Sequence, residues 1–181
     1  HLQAHGVRLI TSAEVKQITR GSDLQQRNHF RVTVAEGESR DYQALVLATG
    51  FRLFDASLKE EYGYGIYPRV ITSPELEQRL ADGGEGLMAE GRPPGRVAFV
   101  HCVGSRDAKV GNLYCSKVCC ITGVKQAIAV RQHYPGCEVM NFYMDLRMFG
   151  SGYEELYQEA QESFGITFIR GRVSEAARTQ G

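Results

Sequence analysis

The sequence has no excess of charge of either sign. Lys and Arg together number 21, Asp and Glu 21, so the formal net charge is zero. A protein that grips nucleic acid by its phosphates normally carries a basic excess, so that class is set aside. Long apolar runs are also missing. The longest are short pieces such as residues 44–48, far below the ~20 residues of a membrane-spanning helix. No secretory signal, transit segment, internal repeat or low-complexity tract is visible. No nucleophile stands at a spacing that pairs it with a base, so hydrolysis has no support. Paired C-x2-4-C knuckles and a G-x-G-x-x-G loop are both lacking. The chain opens on His1 without an initiator Met, and the expectation is an excerpt of a longer protein.

What is present is a chain of 181 residues, 43% of them apolar, enough for one or two domains with a sizeable core. The first part reads as β-rich, with strand patterns over residues 7–11, 14–19 and 30–35. Residues 42–48 form a near-continuous apolar run that suits a strand buried on both faces. Thr72-Ser73-Pro74-Glu75 predicts a helix start with Ser73 as cap, and Leu76 and Leu80 then share a face. Residues 83–95 are rich in Gly and Pro and mark a linker. The second part alternates: a strand at 96–101, a long helix within 114–134, a strand at 138–144, a helix at 152–164 and a strand at 166–169. This βαβαβ order predicts a parallel sheet. The expected domains are therefore 1–95 and 96–181.

Five cysteines occur, and four lie at Cys102-x12-Cys115-x3-Cys119-Cys120. Four thiolates can hold a [4Fe–4S] cluster or a tetrahedral zinc. Adjacent Cys119 and Cys120 rarely reach one small ion, whereas a cubane spreads its corners, so the spacing leans to iron–sulfur. On a regular helix Cys120 points about 140° away from Cys115. All four converge only if Cys115 precedes the helix or sits in a distorted first turn. Arg106, Lys109 and Lys117 could stabilise an anionic cluster at the helix N-terminus. The bland alternative is four small buried hydrophobes. Cys137, at a strand start, reads as core.

The strand at 96–101 runs into His101-Cys102-Val103-Gly104-Ser105-Arg106-Asp107, with one Gly where a phosphate loop has two or three. A cysteine loop thus replaces the nicotinamide phosphate cradle. Ala48-Thr49-Gly50 is a modest cofactor signal, since Gly admits close backbone approach. His101 reads as a structural, hydrogen-bonded His rather than a ligand. Asp145 and Arg147 read as an ion pair or partner contact.

Several motifs narrow this reading. Ala44-Leu45-Val46-Leu47-Ala48-Thr49-Gly50-Phe51 resembles the flavin-proximal strand of thioredoxin-reductase-like flavoproteins. Further motifs are Glu61-Tyr62-Gly63-Tyr64-Gly65, Val70-Ile71-Thr72-Ser73, Cys102-Val103-Gly104-Ser105-Arg106-Asp107 and Tyr114-Cys115-Ser116-Lys117-Val118-Cys119-Cys120. Lys125-Gln126-Ala127, Met144-Asp145-Leu146-Arg147 and Gly152-Tyr153-Glu154-Glu155 complete the set. Together they are similar to the A-subunit family of heterodisulfide reductase from about residue 6 onward.

The resemblance implies an α/β chain. It would be part of a flavin disulfide reductase-like fold: an antiparallel β-meander plus a Rossmann-like parallel βαβαβ lobe. It implies an FAD-containing iron–sulfur subunit of a cytoplasmic oxidoreductase complex, with hydrogenase or ferredoxin-type carriers as partners, sometimes using flavin-based bifurcation. By position, Cys102, Cys115, Cys119 and Cys120 match the cluster cysteines. Thr49 and Gly50 match the flavin strand, and Val15 a position near the adenine end. No catalytic residue is carried over.

The family's pyrophosphate-binding G-x-G-x-x-G, its isoalloxazine-closing segment and its ferredoxin-type C-x2-C-x2-C-x3-C runs are absent. The expectation is therefore weak or no FAD binding by this chain alone, no activity in isolation, and a cluster easily lost to oxidation. Three rivals stand beside the electron-transfer reading. They are a subunit of a quinone-interacting oxidoreductase complex, an NAD(P)H-dependent flavin disulfide reductase, and a structural four-cysteine zinc scaffold.

Overall fold

The computed structural model describes residues 7–22, 28–35 and 37–178. The chain divides into two compact units, His1–Arg52 and Leu53–Gly181.

The first unit is a three-stranded antiparallel meander of β1 (Val15–Ser22), β2 (Asn28–Val34) and β3 (Ser39–Tyr42). Alternating sequence in β2 lets one edge carry matched polar pairs. Arg31 faces Asp41 and donates two hydrogen bonds of 2.7 Å to its carboxylate. Thr33 and Ser39 join hydroxyls at 2.8 Å. Such cross-strand pairs fix register. Two expectations are corrected here. Residues 7–11 form no strand, so the meander is made by 15–22, 28–34 and 39–42. The buried strand expected over 42–48 is not formed either: β3 ends at Tyr42, and Val46 and Leu47 are 87% and 71% exposed. A run written for burial on both faces needs neighbouring strands, and none pairs with it among the described residues. The polar turn expected within 21–28 falls mostly outside the described residues.

The second unit is a parallel sheet of β4 (Arg96–Val100), β5 (Glu138–Tyr143) and β6 (Thr167–Arg170), in that order. Its helices are α1 (Ser73–Ala81), α2 (Cys119–His133) and α3 (Tyr153–Glu162). The expected βαβαβ order is present, with parallel pairing of β4 to β5 and β5 to β6. The core joins Leu76 and Leu80 of α1, Val124, Ala127, Ile128 and Val130 of α2, Val139 of β5 and Ala160 of α3. Cys137 is 1% exposed and belongs to this core, as its sequence position suggested.

Two details differ from the sequence reading. The cap of α1 is Thr72, not Ser73: Glu75 accepts the Thr72 N–H at 2.6 Å in a capping box. The Ser73 hydroxyl donates instead to Gln126 of α2 at 2.7 Å. Helix α1, grouped by sequence with residues 1–95, packs into the core of the second unit. The Gly-rich stretch after it is held as well, because the Tyr134 hydroxyl donates to the Gly84 carbonyl at 2.5 Å. Glycine content marks turns there, and those turns keep their contacts. No helix among the described residues is long and apolar enough to cross a membrane.

Candidate metal centre

The segment between β4 and α2 folds back on itself and leads into Cys119 and Cys120, which lie close together with His101, while Cys102 and Cys115 lie outside that close group. Asp107 and Asn112 exchange backbone hydrogen bonds of 2.7 and 3.0 Å. The Asn112 amide donates to the Gly104 carbonyl at 2.9 Å, and the Arg106 N–H donates to the Tyr114 carbonyl at 3.0 Å. These ties bring the residue before Cys115 beside the turn that carries Cys102. Helix α2 starts only at Cys119, so Cys115 precedes it. That is the arrangement the spacing required for convergence.

The loop is held in costly backbone conformations. Cys102, Arg106 and Lys117 have φ of 61°, 53° and 62°. Non-glycine residues rarely adopt this region unless surroundings over-determine it, and such strain gathers at functional sites.

Three ligand atoms lie within 4.8 Å of one another: one ring nitrogen of His101 and the sulfurs of Cys119 and Cys120. Cys102 joins them through Cys119. The neighbouring Cys119 sulfur and burial push the Cys102 thiol above the ordinary thiol range. Cys102 and Cys120 beside it favour the charged form of Cys119 and hold it below that range. The neighbouring Cys119 and burial drive Cys120 up, and its thiol donates to the Asp145 carbonyl at 3.7 Å.

Backbone and cationic groups supply further support. The Lys117 N–H donates to the Cys115 sulfur at 3.3 Å, and the Arg147 N–H to the Cys120 sulfur at 3.4 Å. Arg106 donates to Asp145 at 2.7 Å, and the same guanidinium lies against Cys102. Asp145 is held below the usual carboxylate range, chiefly by that bond to Arg106. Helix α2 has no side-chain cap and no acidic residue in its first turn. Its free N–H groups and dipole therefore favour negative charge where the thiols meet.

A second charged group anchors the loop from below. Lys59, 2% exposed, contacts Glu61 at 2.6 Å and Asp107 at 2.7 Å, and Arg172 reaches Asp107 at 2.9 Å. The Lys59 bond holds Asp107 below its ordinary value of 3.8 and raises Lys59 above its ordinary 10.5. A depressed carboxylate stabilises the fold above its unfolded pKa, and the gain is lost as pH falls through the lower folded value. A raised lysine stabilises below its unfolded pKa, and that gain is lost as pH rises through the higher folded value. Urea unfolding should therefore show this contribution intact at neutral pH and declining in both acid and strong alkali. Asp107→Asn should flatten the acid limb, and an unchanged acid limb would contradict the assignment.

The remaining expected cofactor residues lie in the first unit. Val15 opens β1 and is 52% exposed, while Thr49 and Gly50 sit exposed in the strandless stretch after β3. His101 is hydrogen-bonded, as its sequence position suggested, pairing with Asn141 at 2.9 Å, and its ring also lies near the Cys119 and Cys120 sulfurs. Sequence reasoning missed the Lys59 group altogether, because Lys59-Glu60-Glu61 reads as a solvated run. The Arg106–Asp145 pair confirms Asp145 as an ion-pair residue.

No family model matches the chain. Curated relatives do. Over 133 residues it is 53% identical to the iron–sulfur A-subunit of the CoB–CoM heterodisulfide reductase of Methanocaldococcus jannaschii, covering 71% of this chain and 20% of that protein. It is 50% identical over 133 residues to the A-subunit of the H(2)/formate:CoB-CoM heterodisulfide,ferredoxin reductase of Methanococcus maripaludis, with the same two coverages. The A-subunit of the ferredoxin/F(420)H(2)-dependent CoB–CoM heterodisulfide reductase of Methanosarcina acetivorans is 49% identical over 137 residues, 73% of this chain and 17% of that protein. The chain thus spans about one fifth of the length of the relatives it matches. At this identity, the matched stretch of the chain belongs to the A-subunit family of heterodisulfide reductase.

Proposed function

We propose that this chain is an electron-transfer segment in which Cys102, Cys115, Cys119 and Cys120 hold one [4Fe–4S] cluster that exchanges electrons with an FAD of the parent flavoprotein. The observation that carries this is the gathering of soft donors at an uncapped helix start, with Cys119 favoured as thiolate. Four thiolates are the usual ligand set of such a cluster, which supplies a one-electron relay when bound. The residues around it then have definite tasks. Arg106 and the helix N-terminus offset negative charge. The Lys117 and Arg147 N–H groups donate to ligand sulfurs, a bond type that tunes iron–sulfur potentials.

The flavin half of the reading rests on the family. The second unit is read as the Rossmann-like lobe of a flavin disulfide reductase-like fold, its cysteine loop standing where a nicotinamide loop would be. Thr49, Gly50 and Val15 are assigned to the FAD side. The exposed apolar stretch around Val46 and Leu47 supports this, since it awaits neighbours for burial. Names of the relatives mention ferredoxin, formate and hydrogen. The partners proposed are accordingly the other subunits of a heterodisulfide reductase-like complex and hydrogenase- or ferredoxin-type carriers. The setting is cytoplasmic, where thiolates stay reduced.

One observation favours a second reading. A ring nitrogen of His101 lies within 4.8 Å of the Cys119 and Cys120 sulfurs, and mixed His/Cys sets hold structural zinc. Metal analysis after anaerobic reconstitution with iron and sulfide separates the two. The cluster reading expects about four irons per chain, and one zinc with no iron would defeat it.

A further inference from the structure

We propose that His101 is a positioning residue of the cysteine centre, donating from Nδ1 to the Cys119 thiolate and thereby raising the reduction potential of the cluster. This role rests on the iron–sulfur reading given above.

The imidazole is fixed on several sides. Its backbone N–H donates to the Phe142 carbonyl at 3.0 Å, which locks the residue to the end of β4. Its Nε2 lies 2.9 Å from Oδ1 of Asn141, a fully buried residue of β5. The opposite wall is Gly123 of α2. A Cβ there would stand 2.8 Å from Nε2 and 2.9 Å from Cε1. Glycine is a poor residue inside a helix, and at this position it makes room for the ring. With Nε2 committed to Asn141, the nitrogen left for the thiols is Nδ1.

Buried polar atoms normally have partners, and exceptions point to a role. Among the described residues three buried side-chain atoms lack one: His101 Nδ1, Arg106 Nη1 and Asn141 Nδ2. All three belong to this centre. Arg106 lies against Cys102, His101 faces Cys119 and Cys120, and Asn141 holds His101. Two of the three groups thus bring unused N–H capacity to sulfur acceptors. The third explains how His101 comes to be a donor. Turning the Asn141 amide over lets Nδ2–H donate to Nε2, and the ring proton then resides on Nδ1. Nothing else holds Nδ2 in its present direction.

A donor bond to a ligand sulfur stabilises the more negative, reduced state and so raises the potential. The test is a spectroscopic redox titration of the reconstituted full chain, with iron content measured alongside. His101→Leu should keep about four irons per chain and lower the midpoint potential by roughly 59 mV, a tenfold change in a one-electron equilibrium. His101→Asn places an amide N–H near the Nδ1 position and should restore the wild-type potential. An unchanged potential in His101→Leu overturns the proposal. If His101→Leu takes up no iron, His101→Asn decides: loading at wild-type potential supports the donor role, and any other result overturns it. A wild-type chain that takes up no iron defeats the cluster reading itself, and the proposal falls with it.

Discussion

Cys119→Ser is expected to abolish iron uptake, taking the reconstituted chain from about four irons to fewer than one. Cys119 is the hub of the centre. Its sulfur lies within 4.8 Å of the Cys120 sulfur and of a ring nitrogen of His101, and Cys102 and Cys120 beside it favour its charged form. A serine hydroxyl cannot replace it, because soft thiolate is what selects for iron–sulfur centres and the alcohol stays protonated. The loss should come without unfolding, since Cys119 is only half-buried at the first position of α2. Cys137→Ser is the control. That thiol lies in the core, 1% exposed, with burial raising its pKa, so it should cost stability and leave iron content unchanged. Iron retained in Cys119→Ser would remove this cysteine from the ligand set.

Gly104→Ala is expected to produce the largest loss of stability in the second unit, about 2–5 kcal/mol. Two costs add. Gly104 has φ of 72°, and an L-residue in that region costs roughly 1–2 kcal/mol. Its new Cβ would also stand 2.1 Å from Cγ of Phe54, inside the aromatic ring. Overpacking of this kind costs about 1–3 kcal/mol. The ring cannot be passed by a small rotamer change, because three of its carbons lie within 2.5 Å of the new atom. Gly111→Ala isolates the backbone cost. Its φ is 74°, with nothing within 4 Å of the added carbon, so only about 1–2 kcal/mol should be lost. Urea denaturation of the two variants compares them directly. Equal losses would mean that Phe54 does not press on Gly104.

The sequence made the second unit largely legible because its information is local. Continuous apolar runs at β4 and β5 and an apolar face on α2 fix a parallel βαβαβ order whatever else surrounds them. Helix geometry alone gave the condition for the cysteines to meet, that Cys115 precede α2, and it does. Features that depend on distant partners stayed hidden. Lys59 is buried only because Asp107, some fifty residues on, turns toward it. His101 becomes a partner of the thiols only because Gly123 and Asn141 make its slot. Thr72 and Ser73 are equally good caps by type, and Gln126 decides between them by claiming Ser73. The apolar run at 44–48 failed for the same reason in reverse. Its composition specifies burial, and burial needs strands that it does not find among the described residues.

Low-temperature EPR of the anaerobically reconstituted, chemically reduced chain decides whether the four cysteines hold an electron-carrying cluster. The expected spectrum is a paramagnetic signal from a reduced [4Fe–4S] cluster, integrating to about one spin per chain and missing from Cys119→Ser. A protein without such a signal that binds one zinc and no iron would refute the assignment.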